Sequence, residues 1–363
     1  MRPGSDGDCL DFYNFFHNKT VLITGHTGFK GSWLCKILIK LGANVIGYSL
    51  QPPTNPNLYN LAKIENNITS IIHDIEDLKY VKEAVRDYDP QIVIHMAAQP
   101  LVGVGYSDPV LTYRTNVMGT VNILESIRDS GVVSFVNVTT DKVYYNKEWA
   151  WGYREYEQLN GYDPYSNSKS CSELVTSCYS KCFFDSNVAI STLRAGNVIG
   201  GGDFTNPRII PDCVRAAINN NVMVLRNPYS TRPYQYVLEP LFAYLLVSAK
   251  QYNDRSIASS YNVGPDDNGC INNESLVELF KKYWGDNFSY IIQSSDSSPH
   301  EANYLKLDSS KIKSLMNWHP VWSIDTAVQK TVEWTKEWYN NGNISDCMNN
   351  QINQYLNECD FII

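Results

Sequence analysis

Tyr165 and Lys169, in the segment YSNSK, place a phenol and an amine four positions apart. If this segment is helical, the two side chains share one face, because residues i and i+4 are neighbours on a helix. A lysine ammonium beside the phenol favours the phenolate, so the tyrosine removes protons closer to neutral pH. The preceding segment GYDP is typical of a loop that ends where a helix begins. The spacing therefore predicts a general base that acts on a hydroxyl group.

Thr139, Thr140, Asp141 and Lys142 form a second polar group, directly after the apolar run VSFVNV. Polar residues at the carboxyl end of a parallel strand lie at the edge where ligands bind. A threonine hydroxyl at that edge can share the proton of a reacting hydroxyl group. Asp141 and Lys142 add an acid and a base that simple hydride transfer does not require. The alternative interpretation is a turn with a surface ion pair.

A glycine-rich loop, GHTGFKG, runs from Gly25 to Gly31 and follows the apolar run KTVLIT. Its GxxGxxG spacing permits a tight turn and a close backbone approach, and the amino end of the next helix then faces a pyrophosphate. We predict a dinucleotide-binding loop; the alternative is a plain strand–helix turn. The cofactor-binding residues predicted in this loop are Gly25, Thr27, Gly28, Phe29, Lys30 and Gly31.

The end of the second apolar run, at residues 48–51, decides which dinucleotide is predicted. It reads YSLQ and contains neither an acid for a ribose 2′-hydroxyl nor an arginine for a 2′-phosphate. Because no basic residue is available for the extra phosphate, NAD is predicted rather than NADP. Asp74, after the third run, either accepts a hydrogen bond from the adenine amino group or caps the next helix. The further predicted cofactor contacts are Ser49, Asp74, Ile75, Ala97, Ala98, Gln99, Tyr165 and Lys169.

Short apolar runs alternate with helical patterns through the first half of the chain, at residues 19–25, 43–49, 70–74, 91–98, 133–140 and 188–198. Between the first two runs, apolar side chains recur every fourth residue from Phe29 to Leu41, as in a helix that packs on a sheet. Continuous rather than alternating apolar strands indicate a parallel sheet covered on both faces. The predicted fold class is therefore α/β, with a doubly wound parallel (Rossmann) sheet whose ligands bind at the strands' carboxyl ends.

After about residue 199 glycine, tyrosine and proline become frequent, which predicts a smaller C-terminal substrate-binding lobe. The run at 261–264 is expected to return as one more strand of the main sheet. The predicted organisation is an N-terminal arm at 1–18, an NAD-binding Rossmann domain at 19–198 plus about 233–265, a substrate-binding lobe at about 199–232 plus 266–340, and a C-terminal tail at 341–363.

Composition narrows the class of protein further. The chain has 363 residues, 43% hydrophobic and 19% charged, with a net charge of −8, which argues for a globular protein and against nucleic-acid or anionic-membrane partners. We expect no signal peptide and no transmembrane helix. The nine cysteines include no CxxC pair, and Cys171, Cys178 and Cys182 lack a fourth ligand. Reduced thiols in a cytoplasmic protein without a metal site are therefore predicted.

Taken together, the glycine loop, the strand-end threonine and YxxxK resemble the extended short-chain dehydrogenase/reductase superfamily. One branch, the CDP-glucose 4,6-dehydratases, is especially similar, and the similarity covers roughly residues 15–340. The runs that carry it are GHTGFKGSWL (25–34), HMAAQPLV (95–102), TNVMGT (115–120), NKEWAWGYRE (146–155), GYDPYSNSK (161–169), RAGNVIGGGD (194–203) and PHEANYLKLD (299–308).

The resemblance implies a lyase (hydro-lyase) reaction on a nucleotide-linked glucose with NAD retained and recycled. Tyr165 would remove the C4 hydroxyl proton while hydride leaves C4, with Thr140 bonded to that hydroxyl and Lys169 tuning the tyrosine. The resulting 4-ketone acidifies C5–H. Asp141 would protonate the departing C6 hydroxyl, and Lys142 occupies the position of the C5 base; whether it is neutral or stabilises enolate charge stays open. Hydride return to C6 would give a 4-keto-6-deoxy sugar.

Further roles are implied for residues outside this group. Asn116 would support the tyrosine–lysine pair through water; the alternative is an ordinary helix-start residue. Gly103 departs from the branch, which usually has an arginine near this position. A homodimer or homotetramer is implied, formed through the helix that bears Tyr165 and a helix near 108–129. The residues implied in substrate binding are Gln99, Asn197, Arg208, Arg232 and His300.

A dehydratase for another nucleotide-linked hexose remains open as an alternative, and so do two functions of other kinds. A nucleotide-sugar 4-epimerase needs the same threonine, tyrosine and lysine but has no use for Asp141 and Lys142. A non-catalytic sensor of dinucleotides would not need an intact Tyr165 and Lys169.

Overall fold

Twelve strands and fourteen helices are present in the part of the chain that the computed structural model describes, residues 7–184, 187–293 and 304–360. The strands are β1 (Thr20–Thr24), β2 (Asn44–Ser49), β3 (Thr69–Ile72), β4 (Ile92–His95), β5 (Ser134–Thr140), β6 (Ala189–Ala195), β7 (Asn197–Ile199), β8 (Met223–Leu225), β9 (Thr231–Tyr236), β10 (Ser260–Val263), β11 (Cys270–Asn272) and β12 (Tyr290–Ile292). The helices are α1 (Gly7–Phe16), α2 (Phe29–Lys40), α3 (Leu58–Leu61), α4 (Leu78–Tyr88), α5 (Val102–Ser107), α6 (Pro109–Tyr113), α7 (Gly119–Ile127), α8 (Pro164–Cys182), α9 (Ile209–Ile218), α10 (Leu238–Asn253), α11 (Asn273–Trp284), α12 (Ser310–Met316), α13 (Ile324–Tyr339) and α14 (Ile344–Glu358).

The central sheet has seven parallel strands in the order β10-β6-β5-β4-β1-β2-β3. Strands β4, β5 and β6 are buried along their whole length, because helices cover both faces. One face packs against α2 and α10, which α14 covers from outside, and the other face packs against α4, α7 and α8. The doubly wound parallel sheet predicted from the apolar runs is confirmed, including the strand at residues 260–263.

The strand order reverses between β1 and β4, which lie side by side although two strands intervene in sequence. Chains leaving these two strands turn in opposite directions, so a crevice opens at their carboxyl ends. The glycine loop that follows β1 and the segment that follows β4 both lie at this crevice. The fold therefore brings together the two segments in which most cofactor contacts were predicted.

A second lobe contains two small sheets, β11-β9-β7 and β12-β8. The single strand predicted over residues 188–198 is wrong here, because the chain bends at Gly196 and continues as β7 in the small sheet. A Cβ at Gly196 would lie 2.7 Å from both the ring and the carbonyl oxygen of Pro233 in β9, so the bend needs a residue without a side chain. β9 also belongs to this small sheet, and the chain rejoins the central domain only with α10.

The two chain ends, predicted as an N-terminal arm and a C-terminal tail, form helices α1 and α14 in their described parts. Phe12 and Phe16 of α1 are fully buried, and Phe12 packs edge-on against Phe242 of α10 with ring centroids 5.7 Å apart. In α14, Tyr355 stacks on the same Phe242 at 4.9 Å and donates a hydrogen bond of 2.7 Å to Glu239. The many asparagines of α14 concealed its helical spacing of apolar residues.

Within the described residues, no helix combines the length and apolarity that crossing a lipid bilayer requires. Seven of the described cysteines are free thiols, namely Cys35, Cys171, Cys178, Cys182, Cys213, Cys270 and Cys347.

The packing of α14 is tested by Ile352→Ala, with Asn353→Ala as the matched control. Ile352 is fully buried and its neighbour Asn353 is exposed. We expect Ile352→Ala to lower the free energy of unfolding by about 2–5 kcal/mol, because it leaves a cavity. Asn353→Ala should change it by less than about 0.5 kcal/mol. Chemical denaturation measures both; equal small effects would mean that α14 is a loosely attached tail.

Candidate active site

The glycine loop begins with a left-handed residue, Gly25, at φ +80°. Its N–H donates to the carbonyl of Tyr48 in β2 at 2.8 Å, which continues the sheet pairing into the loop. A Cβ on Gly25 would lie 2.9 Å from the amide nitrogen of Ala97, just after β4. The first glycine is therefore required both by its backbone conformation and by the close approach of the neighbouring segment.

The other two glycines of the loop differ in how much space surrounds them. A Cβ on Gly31, inside α2, would lie 2.1 Å from the carbonyl oxygen of Gly25, so this glycine lets the helix pack against the loop. Gly28 precedes the helix with φ −76°, and a Cβ there would meet that oxygen only at 3.4 Å. No side chain caps the amino end of α2. These features fit a pyrophosphate, which binds to uncapped helix N–H groups approached closely by backbone.

The predicted nucleoside contacts lie at the end of β2 and just after β3. Thr27 links the glycine loop to β2 through hydrogen bonds of 2.9 Å with the Ser49 hydroxyl and the Leu50 carbonyl. Asp74 accepts from the N–H of Glu76 at 2.9 Å, whereas α4 is capped by Asp77. The alternative that Asp74 caps the next helix is therefore wrong.

Ile75 lies next to this turn, but its side chain does not face the crevice. It is buried beside Gly119, where a Cβ on the glycine would lie 2.9 Å from it. Its carbonyl accepts a hydrogen bond of 2.9 Å from Asn122 of α7. Ile75 thus anchors α7 to the end of the sheet.

Gln99 and Asn116 hold the segment that follows β4. The Gln99 side chain accepts from the Leu101 N–H at 2.6 Å and donates to Thr112 at 2.8 Å, so its amide orders the loop rather than facing a ligand. Asn116 is buried in a turn of π-helix, accepts from the Gln99 N–H at 2.8 Å and donates to Ser168 of α8 at 2.9 Å. Asn116 therefore ties the segment that contains Ala97 and Ala98 to the helix that bears the tyrosine and lysine.

Tyr165 and Lys169 lie on the first two turns of α8, which Asp163 caps by accepting from the Ser166 N–H at 3.0 Å. The lysine is 4% exposed, and its ammonium donates to the carbonyl of Val138 in β5 at 3.2 Å. The YxxxK spacing therefore forms a helix, as predicted, and the lysine reaches the sheet. Asn167, between them, accepts a hydrogen bond of 2.8 Å from Tyr113.

The pKa of Tyr165 differs from the expectation. Burial raises it to about 12, and the hydrogen bond with Thr140 and the charge of Arg208 only partly oppose this rise. Burial also lowers the pKa of Lys169 to about 8, while the Glu173 carboxylate acts in the opposite direction. The lysine alone therefore does not bring the phenol's pKa towards neutrality, because desolvation of the phenolate outweighs it.

Strand β5 ends at Thr140, and Asp141 and Lys142 follow it directly. The three side chains are in contact. The Thr140 hydroxyl donates to Asp141 Oδ1 at 2.9 Å, and the Lys142 ammonium lies 3.4 Å from the same oxygen. Asp141 is 1% exposed, and its other oxygen, Oδ2, is buried without a hydrogen-bond partner among the described residues. Because Asp141 is buried, the alternative of a surface ion pair is wrong. A buried carboxylate oxygen without a hydrogen-bond partner is also costly in free energy unless a ligand satisfies it.

Residues from the second lobe and the glycine loop complete this group. Asn197 of β7 accepts from Lys142 at 3.3 Å. Arg208, which precedes α9, pairs with Asp203 at 3.0 Å and is close enough to Tyr165 to lower its pKa. Burial and the charges of Lys169 and Arg208 lower the pKa of Lys30 to about 7. A cluster of cations therefore lies beside the catalytic residues, as a diphosphate ligand requires.

Three predicted or noted positions lie apart from this cluster. Arg232 is buried in β9 and donates to the carbonyl of Thr231 at 2.9 Å. Phe29 packs against the backbone of Gly200, where a Cβ would lie 3.2 Å from the phenyl ring. A Cβ on Gly103 would meet nothing within 4 Å, so an arginine fits there sterically. His300 lies outside the described residues.

Two charged residues that the sequence interpretation missed lie directly beneath the site, Glu173 of α8 and Arg194 of β6. Both are at least 97% buried, and their side chains form a two-pronged ion pair with N–O distances of 2.9 Å. A signal was available, because Arg194 interrupts an otherwise uncharged buried strand and Glu173 is four residues after Lys169.

The fold and the site together define a dinucleotide-dependent enzyme class that acts on hydroxyl groups, the class predicted from the glycine loop and YxxxK. Comparisons with known proteins agree. The family model described as GDP-mannose 4,6 dehydratase matches residues 22–331. The CDP-glucose 4,6-dehydratase of Salmonella typhimurium is 44% identical over 351 residues, which cover 94% of this chain and 98% of that protein. The chain therefore belongs to the GDP-mannose 4,6 dehydratase family, and its resemblance to the CDP-glucose branch is confirmed.

Solved structures share the fold at lower identity. A dTDP-glucose 4,6-dehydratase from Bacillus anthracis in complex with NAD has a TM-score of 0.73 at 22% identity, over 88% of this chain and 97% of that one. A UDP-glucose 4-epimerase from Stenotrophomonas maltophila with bound NAD has a TM-score of 0.79 at 19% identity, over 90% and 100%. Dehydratases and epimerases thus share this architecture, and the choice between them depends on the site.

The role of the glycine loop in packing is tested by Gly31→Ala, with Gly28→Ala from the same motif as its control. The Gly31 variant forces α2 away from Gly25, whereas the Gly28 variant makes only an ordinary contact at 3.4 Å. We expect Gly31→Ala to lower the free energy of unfolding by at least about 2 kcal/mol and Gly28→Ala to change it by less than about 1 kcal/mol. Urea denaturation would disprove the close packing if both variants were equally stable.

Proposed function

We propose that this chain is an NAD-dependent nucleotide-sugar dehydratase that converts CDP-D-glucose into CDP-4-dehydro-6-deoxy-D-glucose and water. The observation that carries the proposal is the buried Asp141. Its Oδ2 has no hydrogen-bond partner among the described residues, and its Oδ1 is held between Thr140 and Lys142. A 4-epimerase, the alternative, needs no acid at this point. The identity of 44% with a CDP-glucose 4,6-dehydratase supports both the reaction and the nucleotide.

NAD, when bound, supplies the acceptor that takes hydride from C4 and the donor that later returns it to C6. In the proposed complex, the amino end of α2 and Gly25, Gly28 and Gly31 bind the pyrophosphate, and Ser49 and Asp74 lie nearest the adenosine. No arginine is available at residues 48–51 for a 2′-phosphate, which favours NAD over NADP. The backbone of Ala97 and Ala98 forms the opposite wall.

Tyr165 is the proposed base for the C4 hydroxyl proton. Tyr165 is hydrogen-bonded to Thr140, so the two side-chain hydroxyl groups lie together. Both can then contact the C4 hydroxyl of the substrate and align it. Lys169, with a pKa of about 8, is largely protonated at neutral pH and stabilises the developing phenolate.

Asp141 and Lys142 carry the proposed elimination. The 4-ketone makes C5–H acidic, and Lys142, 27% exposed and 3.4 Å from Asp141, is placed to receive that proton or to stabilise the enolate. Asp141 protonates the C6 hydroxyl so that it leaves as water. Its unsatisfied Oδ2 supports this role, since a buried carboxyl that carries a proton needs an acceptor of the kind that a sugar hydroxyl supplies.

The second lobe is the proposed site of the CDP moiety, with about residues 199–232 and 266–340 forming its walls. Arg208 and Asn197 lie beside the catalytic group and suit the diphosphate, whereas buried Arg232 and the undescribed His300 remain proposed contacts. The seven free thiols named above fit a cytoplasmic enzyme.

Incubation with CDP-glucose, and separately with the dTDP-, UDP- and GDP-hexoses, tests the function. We expect CDP-glucose alone to lose one water, detected by mass spectrometry, with no net NADH. A product of unchanged mass and inverted C4 in the NMR spectrum would instead identify an epimerase.

Asp141→Asn separates the oxidation from the elimination in the same assay. We expect dehydration to fall by about 10²–10⁴-fold, because the amide cannot protonate the C6 hydroxyl, while the enzyme-bound 4-ketone still forms. Borohydride reduction of the quenched reaction traps that ketone as a mixture of C4 epimers. Tyr165→Phe, the control, should give neither dehydration nor trapped epimers. Normal dehydration by Asp141→Asn would refute the assigned acid.

We also propose a homodimer formed through α6, α7 and α8. Large apolar side chains are exposed on α6 (Val110, 65%), on the turn between α6 and α7 (Met118, 49%) and on α8 (Leu174, 56%). Exposed apolar side chains that come together in one patch are typical of subunit contacts.

Leu174→Arg tests this interface, with Leu315→Arg on α12 as the matched control, since Leu315 is 54% exposed. Sedimentation velocity should give the wild type and Leu315→Arg twice the chain mass of 41.2 kDa. Leu174→Arg should give a single chain mass, because it buries an unpaired charge in the interface. A wild type that sediments as a monomer would contradict the proposal.

A further inference from the structure

The carboxylate of Glu173 accepts four hydrogen bonds inside the protein. Arg194 donates to each oxygen at 2.9 Å, through Nε and Nη2. Thr139 of β5 donates at 2.5 Å to one oxygen, and Thr192 of β6 donates at 2.6 Å to the other. A single side chain of α8 is therefore bonded to two neighbouring strands of the central sheet.

Glu173 and its partner Thr139 each lie close in sequence to a residue of the proposed catalytic group. Thr139 immediately precedes Thr140, and Glu173 is one helical turn after Lys169, whose ammonium reaches Val138 of the same strand at 3.2 Å. The carboxylate thus joins the helix that bears the base to the strand that bears the hydroxyl. A shift of α8 along β5 would break these bonds.

Arg194 extends the connection to the segment that follows Lys142. Its Nη1 donates to the Tyr144 hydroxyl at 2.8 Å and to the carbonyl of Glu155 at 3.0 Å. The Tyr144 hydroxyl in turn donates to Asn262 of β10 at 2.6 Å. All five polar side-chain atoms of the pair, three nitrogens of Arg194 and two oxygens of Glu173, are therefore hydrogen-bonded. The pair connects α8, β5, β6 and the loop after β5.

We propose that Glu173, with Arg194 as its counter-ion, is a positioning residue that holds Lys169 against Thr140 and supplies fixed negative charge beneath the lysine ammonium. This inference rests on the proposed dehydratase function. Stability alone is a poor explanation of the pair, because a buried ion pair is often no more stabilising than apolar residues of similar volume.

The charged groups around Lys169 determine how its pKa changes when Glu173 is removed. Lys30 and the buried His95 face the lysine, and Lys30 and Lys169 repel each other. Glu173 is the carboxylate that raises the pKa of Lys169 against the effect of burial. Without it, Arg194 is left as an unpaired cation, so the pKa of Lys169 falls below about 8 and the lysine is neutral over more of the neutral range.

Glu173→Gln is the first test, assayed with whichever sugar nucleotide the wild type converts. We expect kcat at neutral pH to fall by about tenfold or more, KM to change by less than about threefold, and the alkaline limb of the kcat profile to move to lower pH. Glu173→Asp keeps the charge and should restore the position of that limb. An unchanged limb in Glu173→Gln would overturn the electrostatic part of the proposal.

The double variant Glu173→Leu with Arg194→Met separates positioning from folding stability. It removes both charges and leaves no unpaired ion, so its thermal stability should be close to that of the wild type. Positioning predicts that its kcat stays low; recovery of the wild-type kcat would show that the pair acts only in folding. Thr192→Val, which removes one bond and no charge, should leave the alkaline limb in place.

A crystal structure of the double variant gives a readout that does not depend on turnover. Positioning predicts that the bond of 3.2 Å between Lys169 and the Val138 carbonyl is lost or that Thr140 shifts. An unaltered geometry at both residues would overturn the proposal, whereas a wild type without dehydratase activity would overturn the proposed function alone.

Discussion

The parallel arrangement of the central sheet is the constraint on which the rest of the structure depends. Parallel strands require helical crossovers on both faces, so β4, β5 and β6 are buried along their whole length and must be apolar. The same arrangement brings the carboxyl ends of all strands to one edge. Polar residues that follow β1, β4 and β5 in sequence therefore meet there, although more than a hundred residues separate those after β1 from those after β5.

Burial of the site at that edge disfavours the charged forms of its side chains, and neighbouring charged residues compensate in part. Burial raises the pKa of Tyr165 and lowers those of Lys169 and Lys30, and each of these shifts opposes the charged form. The Glu173–Arg194 pair is fully hydrogen-bonded, whereas one oxygen of Asp141 has no hydrogen-bond partner in the described part of the chain. The saturated carboxylate suits a fixed support, and the unsatisfied one suits contact with a ligand.

Local patterns predicted much of this arrangement. The apolar runs predicted the bounds of the central strands to within two or three residues. The apolar side chains that recur every fourth residue after Gly28 predicted α2. The helix at Tyr165 and the strand end at Thr140 were also predicted correctly. The errors share one cause, because they concern residues whose partners are distant in sequence. Gly196 bends the chain only because Pro233 is beside it, and α14 is ordered by its packing on α10.

The sequence by itself determined the class of fold and the residue types available for chemistry, since strand burial and helix spacing are local properties of the chain. Only the tertiary structure decided what those residues do in each other's presence. In the folded protein, the amide of Gln99 orders a loop, and Asp141 and Tyr165 are shielded from solvent. Glu173 of α8 pairs with Arg194 of β6. Burial and charge pairing depend on neighbours from several elements, and no single segment encodes them.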